Sequence, residues 1–335
     1  MKRAIFLNIL LLICIVTGCA DKTEKAKDDG PIKIGICVWP GFAHAFIAEE
    51  KGIFKKNGVN VELVFEKEYP DTLKTYKNGD TDGVYTLVPD VIMFNAEGIT
   101  TKIVCVIDYS DTGDVIIGRA ECNSLADLKG KTVSFEGVNT FSHMFVLKAL
   151  ENVGLNETDV RFENVPALDV LKAMKEGRID AGHTWNPTKS RALKAGYKIL
   201  GKAGDTPGVL TDILAFNSKI IKEKPEKIQT IVKSMLEARD FVYTNRAEAI
   251  AIMAKAENMT EEEMADGVDG VRHPDLKENV EAMKKTEKST SIYYIGDYVA
   301  GFFLNRGQLS QKPNLDEIIE PRFINELAKN KEINK

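Results

Sequence analysis

The sequence predicts an α/β fold of two lobes, each a mainly parallel sheet flanked by helices. Three observations predict it. From Pro31 to Phe216, short apolar runs of strand type alternate with runs of helical spacing, the order that builds parallel sheets. The length of 335 residues suits two cores better than one. Third, the chain echoes itself. Leu73–Asp90 and Leu171–Thr188, 98 positions apart, agree at seven of eighteen positions, where average composition gives about one match. His44-Ala-Phe-Ile47 and His143-Met-Phe-Val146 repeat at an offset of 99. Such self-similarity marks equivalent structural units.

Taken in order, Pro31–Trp39 alternates as a strand and Pro40-Gly41 breaks it. His44–Phe54 has helical apolar spacing, and Val59–Glu66 reads as a second strand. Thr72–Lys77 is a helix stopped at Gly79, followed by the strand Thr81–Thr86. Val91–Glu97 is helical, Thr101–Ile107 is a strand, and the acids and glycine of Asp108–Asp114 make a loop. Val115–Gly118 and Thr132–Phe135 are short strands, with a capped turn at Ser124–Asp127 between them. A helix continues from the Gly137–His143 loop to Val153, the echo follows, and Asp205–Asp212 leads into the strand Ile213–Phe216. From Pro225 the chain is helical: Thr260-Glu-Glu-Glu263 is a capping box, Tyr293–Leu304 an amphipathic aromatic helix, and Asp316–Ala328 a single closing helix. No C-terminal transmembrane or signalling module is expected.

The N-terminus predicts export. Lys2 and Arg3 precede an apolar run from Ala4 to Thr17, too short to span a bilayer but right for the core of a signal peptide. Val16-Thr-Gly-Cys19 resembles the lipobox of bacterial-type lipoproteins, which implies a signal peptide at 1–18 and lipidation at Cys19. Residues 19–30 then form a polar tether with nothing to bury. The expected location is the outer face of the cytoplasmic membrane, in the periplasm or at the cell surface. Net charge is −5, and −7 without Lys2 and Arg3; no basic cluster points to nucleic acid. Cys37, Cys105 and Cys122 remain, an odd number that gives no full disulfide framework. Cys37 and Cys105 read as small buried hydrophobes.

Ala48–Val59 (A-E-E-K-G-I-F-K-K-N-G-V), Ser124–Val133 (S-L-A-D-L-K-G-K-T-V), Glu176–Pro187 (E-G-R-I-D-A-G-H-T-W-N-P) and the Leu304–Ile324 tail, in this order and spacing, resemble the substrate-binding proteins of ABC importers of the nitrate/sulfonate/taurine/thiamin-pyrimidine type. The resemblance covers about residues 31–328. It implies a two-lobed periplasmic-binding-protein (Venus-flytrap) fold: 31–107 plus 214–335 as lobe 1, 108–213 as lobe 2, with hinge segments at both ends. It also implies a monomer without cofactor that binds a small-molecule ligand and passes it to a membrane permease. One departure is Asn186, where the family often has an acidic residue before the proline.

Ligands of open α/β sheets bind beyond the carboxyl ends of the strands. The rule selects six loops: Trp39–His44, Tyr85–Asp90, Asp108–Asp114, Gly137–His143, Thr184–Thr188 and Asp205–Asp212. They hold six Asp, six large aromatics, no Lys and no Arg. An anion needs cationic side chains or helix N-termini to offset its desolvation. Carboxylates and aromatic faces instead suit an amine-bearing, planar ligand. An aminopyrimidine-like thiamin precursor is the first choice, and a taurine-like zwitterion or anion the second. The candidate contacts are Trp39, Phe42, His44, Tyr85, Asp90, Asp108, Ser110, Asp114, Asn139, Thr140, Phe141, His143, Thr184, Trp185, Asn186 and Asp212. Each has a plainer role open to it, as helix cap, turn former, hinge partner or core residue.

Catalysis is not expected. The four histidines show no metal-ligand spacing, there is no C-x-x-C pair, and Asp80-Thr-Asp-Gly83 lacks the later acids of a calcium loop. The rivals are a pyrimidine-synthesising enzyme of the same fold and a ligand-sensing module that serves a receptor. The enzymes of that kind carry a Cys-rich motif that this sequence lacks.

Overall fold

The computed structural model describes residues 30–333. The signal peptide, Cys19 and nearly all of the tether lie outside the described residues. The first sheet is begun by β1 (Ile32–Ile36), β2 (Val61–Phe65), β3 (Gly83–Leu87) and β4 (Thr101–Ser110). Between them lie α1 (His44–Glu50), α2 (Ile53–Lys56), α3 (Tyr69–Lys77) and α4 (Val88–Ala96). The chain then crosses to a second sheet made of β5 (Val115–Gly118), β6 (Thr132–Phe135), β7 (Arg161–Asn164), β8 (Ala181–Thr184) and β9 (Lys198–Lys202). This sheet carries α5 (Phe141–Glu151), α6 (Val170–Lys175) and α7 (Thr188–Lys194). β10 (Thr211–Asn217) returns to the first sheet.

The remainder packs on that sheet as α8 (Ser218–Glu223), α9 (Pro225–Thr244), α10 (Arg246–Glu257), α11 (Glu261–Asp269), the edge strand β11 (Val271–Arg272), α12 (Leu276–Ala282), α13 (Ile292–Asn305), α14 (Leu315–Ile318) and α15 (Arg322–Ile333). One closing helix from Asp316 was expected. Two form instead, because Pro321 has no amide hydrogen to continue the first.

Strand order gives the echo a physical meaning. The first sheet runs β11-β4-β10-β3-β1-β2 and the second β9-β5-β8-β6-β7. In each, three strands are parallel, and a strand from beside a crossing (β10 or β5) is inserted antiparallel before the next. β3 and β8, the central strands of the two echoing segments, therefore hold the same place in their sheets. The sheets are less parallel by pairing than expected because of those inserted strands. β4 extends to Ser110 and β10 begins at Thr211. Asp108 and Asp212 are thus strand residues of the first sheet rather than members of loops at a lobe boundary. The crossings occupy residues 111–114 and 203–210. β3 is buried along its whole length and β10 except at its last residue, as strands covered on both faces should be.

Candidate functional site

The carboxyl ends of both sheets face one cavity. Its walls are Cys37 and Trp39 beyond β1, Phe42 ahead of α1, Tyr69 opening α3, Leu87 closing β3 and Asp212 at the start of β10. From the second sheet come Asp114 just before β5, Phe141 opening α5 and Trp185 just after β8. The space between them is a narrow slot of about 270 Å³, part of it open to solvent. Trp39 and Trp185 meet edge to face, ring centres 5.9 Å apart. Trp185 also donates its Nε1–H across the cleft to the Val38 carbonyl at 2.9 Å.

Three carboxyl groups set the electrostatics. Asp108 and Asp212 are register partners on adjacent antiparallel strands, both buried. Trp39 Nε1 donates to Asp108 Oδ2 at 3.2 Å, while Asp108 Oδ1 has no partner. A Cβ at Gly41 would fall on that carboxylate and on the indole nitrogen, so the close approach requires glycine. Burial pushes Asp108 up to about 7. Burial, then repulsion from Asp108 and Asp114, pushes Asp212 well above the carboxylate range.

Asp114 is held differently. The Glu136 amide donates to Ser142 Oγ at 3.0 Å, Ser142 Oγ lies 2.7 Å from His183 Nδ1, and His183 Nε2 lies 2.9 Å from Asp114 Oδ1. Because Ser142 already accepts from the amide, its hydroxyl hydrogen is free for Nδ1. His183 then carries its hydrogen on Nε2 and donates it to Asp114, an assignment that satisfies every member. The three residue types are those of a hydrolase triad, but their order is reversed. The carboxylate faces the cavity, and the hydroxyl is buried in the lobe behind it.

Six expected residues line the cavity: Trp39, Phe42, Asp114, Phe141, Trp185 and Asp212. The others stand behind or beside it. The His44 ring bonds the Gly41 carbonyl at 3.0 Å and packs edge-on against His273. Tyr85 backs Phe42 and donates to Met235 Sδ. Asp90 accepts from Tyr69 Oη at 2.6 Å and from Thr86, and so holds a wall residue in place. Asp108 acts through Trp39 and Asp212, and Ser110 Oγ takes the Asp114 amide at 3.0 Å. Asn139 and Thr140 shape the entry to α5, where Thr140 accepts from the His143 amide. The His143 ring stacks on Phe135 at 4.2 Å. Thr184 bonds the Ala167 carbonyl, and Asn186 reaches α11 rather than the cavity, donating to Asp266 Oδ2 at 2.7 Å.

Cys37, Tyr69 and Leu87 also line the cavity and were not among the expected residues. Tyr69 opens the helix after β2, a strand end to which the same carboxyl-end rule applies.

The lobes are in contact on both sides of the cavity. From α7, Arg191 pairs with Glu263, Lys189 with Asp266 and Lys194 with Glu262, all on α11. Opposite, Arg306 at the end of α13 forms a bidentate pair with Glu157 at 2.7 and 3.0 Å. The arrangement is a closed one.

The profile described as "NMT1/THI5 like" matches residues 39–249, a span that includes every wall residue except Cys37. The chain belongs to the NMT1/THI5-like family. A Brucella abortus protein named only for binding is 26% identical over 263 residues, 76% of this chain and 79% of its own. The formylaminopyrimidine-binding protein of Halalkalibacterium halodurans is 22% identical, with the same coverage. An enzyme is also similar: the 4-amino-5-hydroxymethyl-2-methylpyrimidine phosphate synthase of Saccharomyces cerevisiae, 23% identical over 61% of this chain and 64% of its own. Among solved structures, the periplasmic aliphatic sulphonate binding protein of Escherichia coli superposes with a TM-score of 0.69 at 21% identity, covering 84% of this chain and 94% of that one. The periplasmic-binding-protein fold follows from these matches.

Proposed function

We propose that this member of the NMT1/THI5-like family is an exported substrate-binding protein of an ABC importer. It binds a small, planar, amine-bearing solute between its lobes, an aminopyrimidine first. Lipidation at Cys19 tethers it to the outer face of the cytoplasmic membrane, where the closed monomer is met by a permease. The observation that carries the reading is the composition of the wall. Five aromatics and two carboxylates enclose a narrow slot, and among the described residues no Lys or Arg lines it. A cation or an N–H-rich ring gains from carboxylates and π-faces; a nitrate or simple sulfonate would meet two acids and no compensating positive side chain.

Closure is the mechanism. A ligand gripped by Tyr69 and Asp212 on one lobe and by Phe141, Asp114 and Trp185 on the other favours the closed state by its extra contacts there. A taurine-like zwitterion is the second reading, because the N-terminus of α5 opens into the wall at Phe141 and can take an anionic end. Catalysis has weaker support: the Ser142–His183–Asp114 chain turns its hydroxyl away from the cavity and serves to aim Asp114.

Native mass spectrometry of freshly purified protein, then calorimetry with 4-amino-5-hydroxymethyl-2-methylpyrimidine, taurine, nitrate and an alkanesulfonate, tests this. The pyrimidine is expected to bind most tightly. Tight binding of nitrate or the sulfonate, with no response to any amine, overturns it.

A further inference from the structure

One buried ring sits behind the pair that joins the lobes at α13. His143, in the first turn of α5, is 1% exposed. The Asn139 amide donates to its Nδ1 at 3.2 Å, so the hydrogen of the neutral ring is on Nε2. Among the described residues that N–H has no partner. It stops 3.7 Å from Glu157 Oε1, too far for a hydrogen bond. The same carboxylate is gripped by Arg306 of the other lobe at 2.7 and 3.0 Å. Glu157 thus has one partner in hand and a second behind it, and the two belong to different lobes.

The charged groups that act on His143 from the elements around it are Arg306 at the end of α13 and Glu157 in the turn after α5. β6 and β7 present the rings of Phe135 and Phe162. Burial, then the Arg306 guanidinium, pushes His143 down to about 4, with Glu157 opposing. Parting of the lobes takes Arg306 away and lets water in. Both changes move the ring back toward its ordinary value of about 6.5, and Glu157 is left without its cation. Opening therefore favours a proton on His143, and by linkage a proton favours opening.

We propose that His143 is a proton-operated release for the closed state: a proton taken up at Nδ1 displaces the Asn139 amide, and the imidazolium takes Glu157 over from Arg306. The proton comes from solvent, one N–H bond forms, and nothing is oxidised or reduced. One end of the ring acts on the interlobe pair, and the other acts on the Gly137–Thr140 loop that leads to Phe141 in the wall. Acid in the outer medium opens the protein and loosens its hold on solute. The proposal rests on closure as read above, and not on which solute is bound.

Histidine-ring NMR and small-angle X-ray scattering of the solute-free full chain test it. In Arg306→Gln the His143 ring is expected to titrate about one pH unit or more above its wild-type position. The radius of gyration is expected to rise from about pH 7.5 to about pH 5 in the wild type, and to stay constant in His143→Gln, which keeps an acceptor for Asn139 without the titration. An unchanged His143 titration in Arg306→Gln overturns the proposal, whether or not His143→Gln folds. So does a wild-type radius that is the same at both pH values, or one that rises equally in His143→Gln. Arg191→Ala combined with Arg306→Gln cuts the pairs on both flanks and separates this proposal from closure itself. Expansion of that variant beside a wild type inert to pH removes the release alone. No expansion in either removes closure and the release together.

Discussion

At the residue scale, three of the wall residues are each fixed by a second residue: Asp90 holds Tyr69, Asp108 holds Trp39, and His183 holds Asp114. Asp114→Asn is expected to weaken pyrimidine binding about 10- to 100-fold, the range of a hydrogen bond to a charged group, in a calorimetric titration. Trp185→Ala removes an aromatic wall and its bond to Val38. Binding should be lost while thermal unfolding stays cooperative; failure to fold would instead make Trp185 a packing residue. Six of the nine wall residues were legible in the sequence because strand ends can be located from apolar alternation and turn residues. What alternation cannot show is which way a side chain points. His44 and His143 open equivalent helices and looked alike, yet one bonds a carbonyl beneath the cavity and the other stacks on Phe135. His183 escaped notice because it lies inside a strand, where its role depends on Ser142 and Asp114, each about forty or more positions away in the chain.

At the element scale, the contact between α7 and α11 is the clearest closed-state feature. Glu263 caps the first turn of α11 through Thr260 and also receives Arg191. Thr260→Ala removes that cap at a cost of about 1 kcal/mol. It should lower the midpoint of thermal unfolding and loosen the surface that α7 meets. Arg191→Ala acts on closure alone. Arg191 is half exposed, so the pair is screened by solvent. A few-fold rise in dissociation constant is expected, larger at low salt than at high, measured by titrating ligand at two ionic strengths. The edge strands β7 and β9 were not legible. They are short and partly exposed, and become strands only because β6 and β5 offer unpaired edges.

At the scale of the whole molecule, the fold concentrates buried acids along the cleft. Burial raises Asp90 to about 6, Asp108 to about 7 and Glu136 to about 8. For a carboxyl raised on folding, the folded chain binds more protons than the unfolded one between the two pKa values. Stability therefore falls as pH rises through that interval. The ligand-free protein should unfold at a higher temperature at about pH 6.5, where the buried histidines pushed down on folding no longer contribute much, than at about pH 8.5, by scanning calorimetry; the opposite order would mean that these carboxyls are ionised in the folded state. The two-lobe plan was legible because one sequence pattern occurs twice, and strand order carries the same plan. The extent of the lobes was less so, since β4 and β10 run on past the residues that looked like loops.

The chain has two tryptophans, and both are in the wall of the slot, ring against ring. Light absorbed by indole in this protein is thus absorbed at the site itself. Emission colour and quenching report on solute capture without any attached dye, and parting of the halves would separate the two fluorophores.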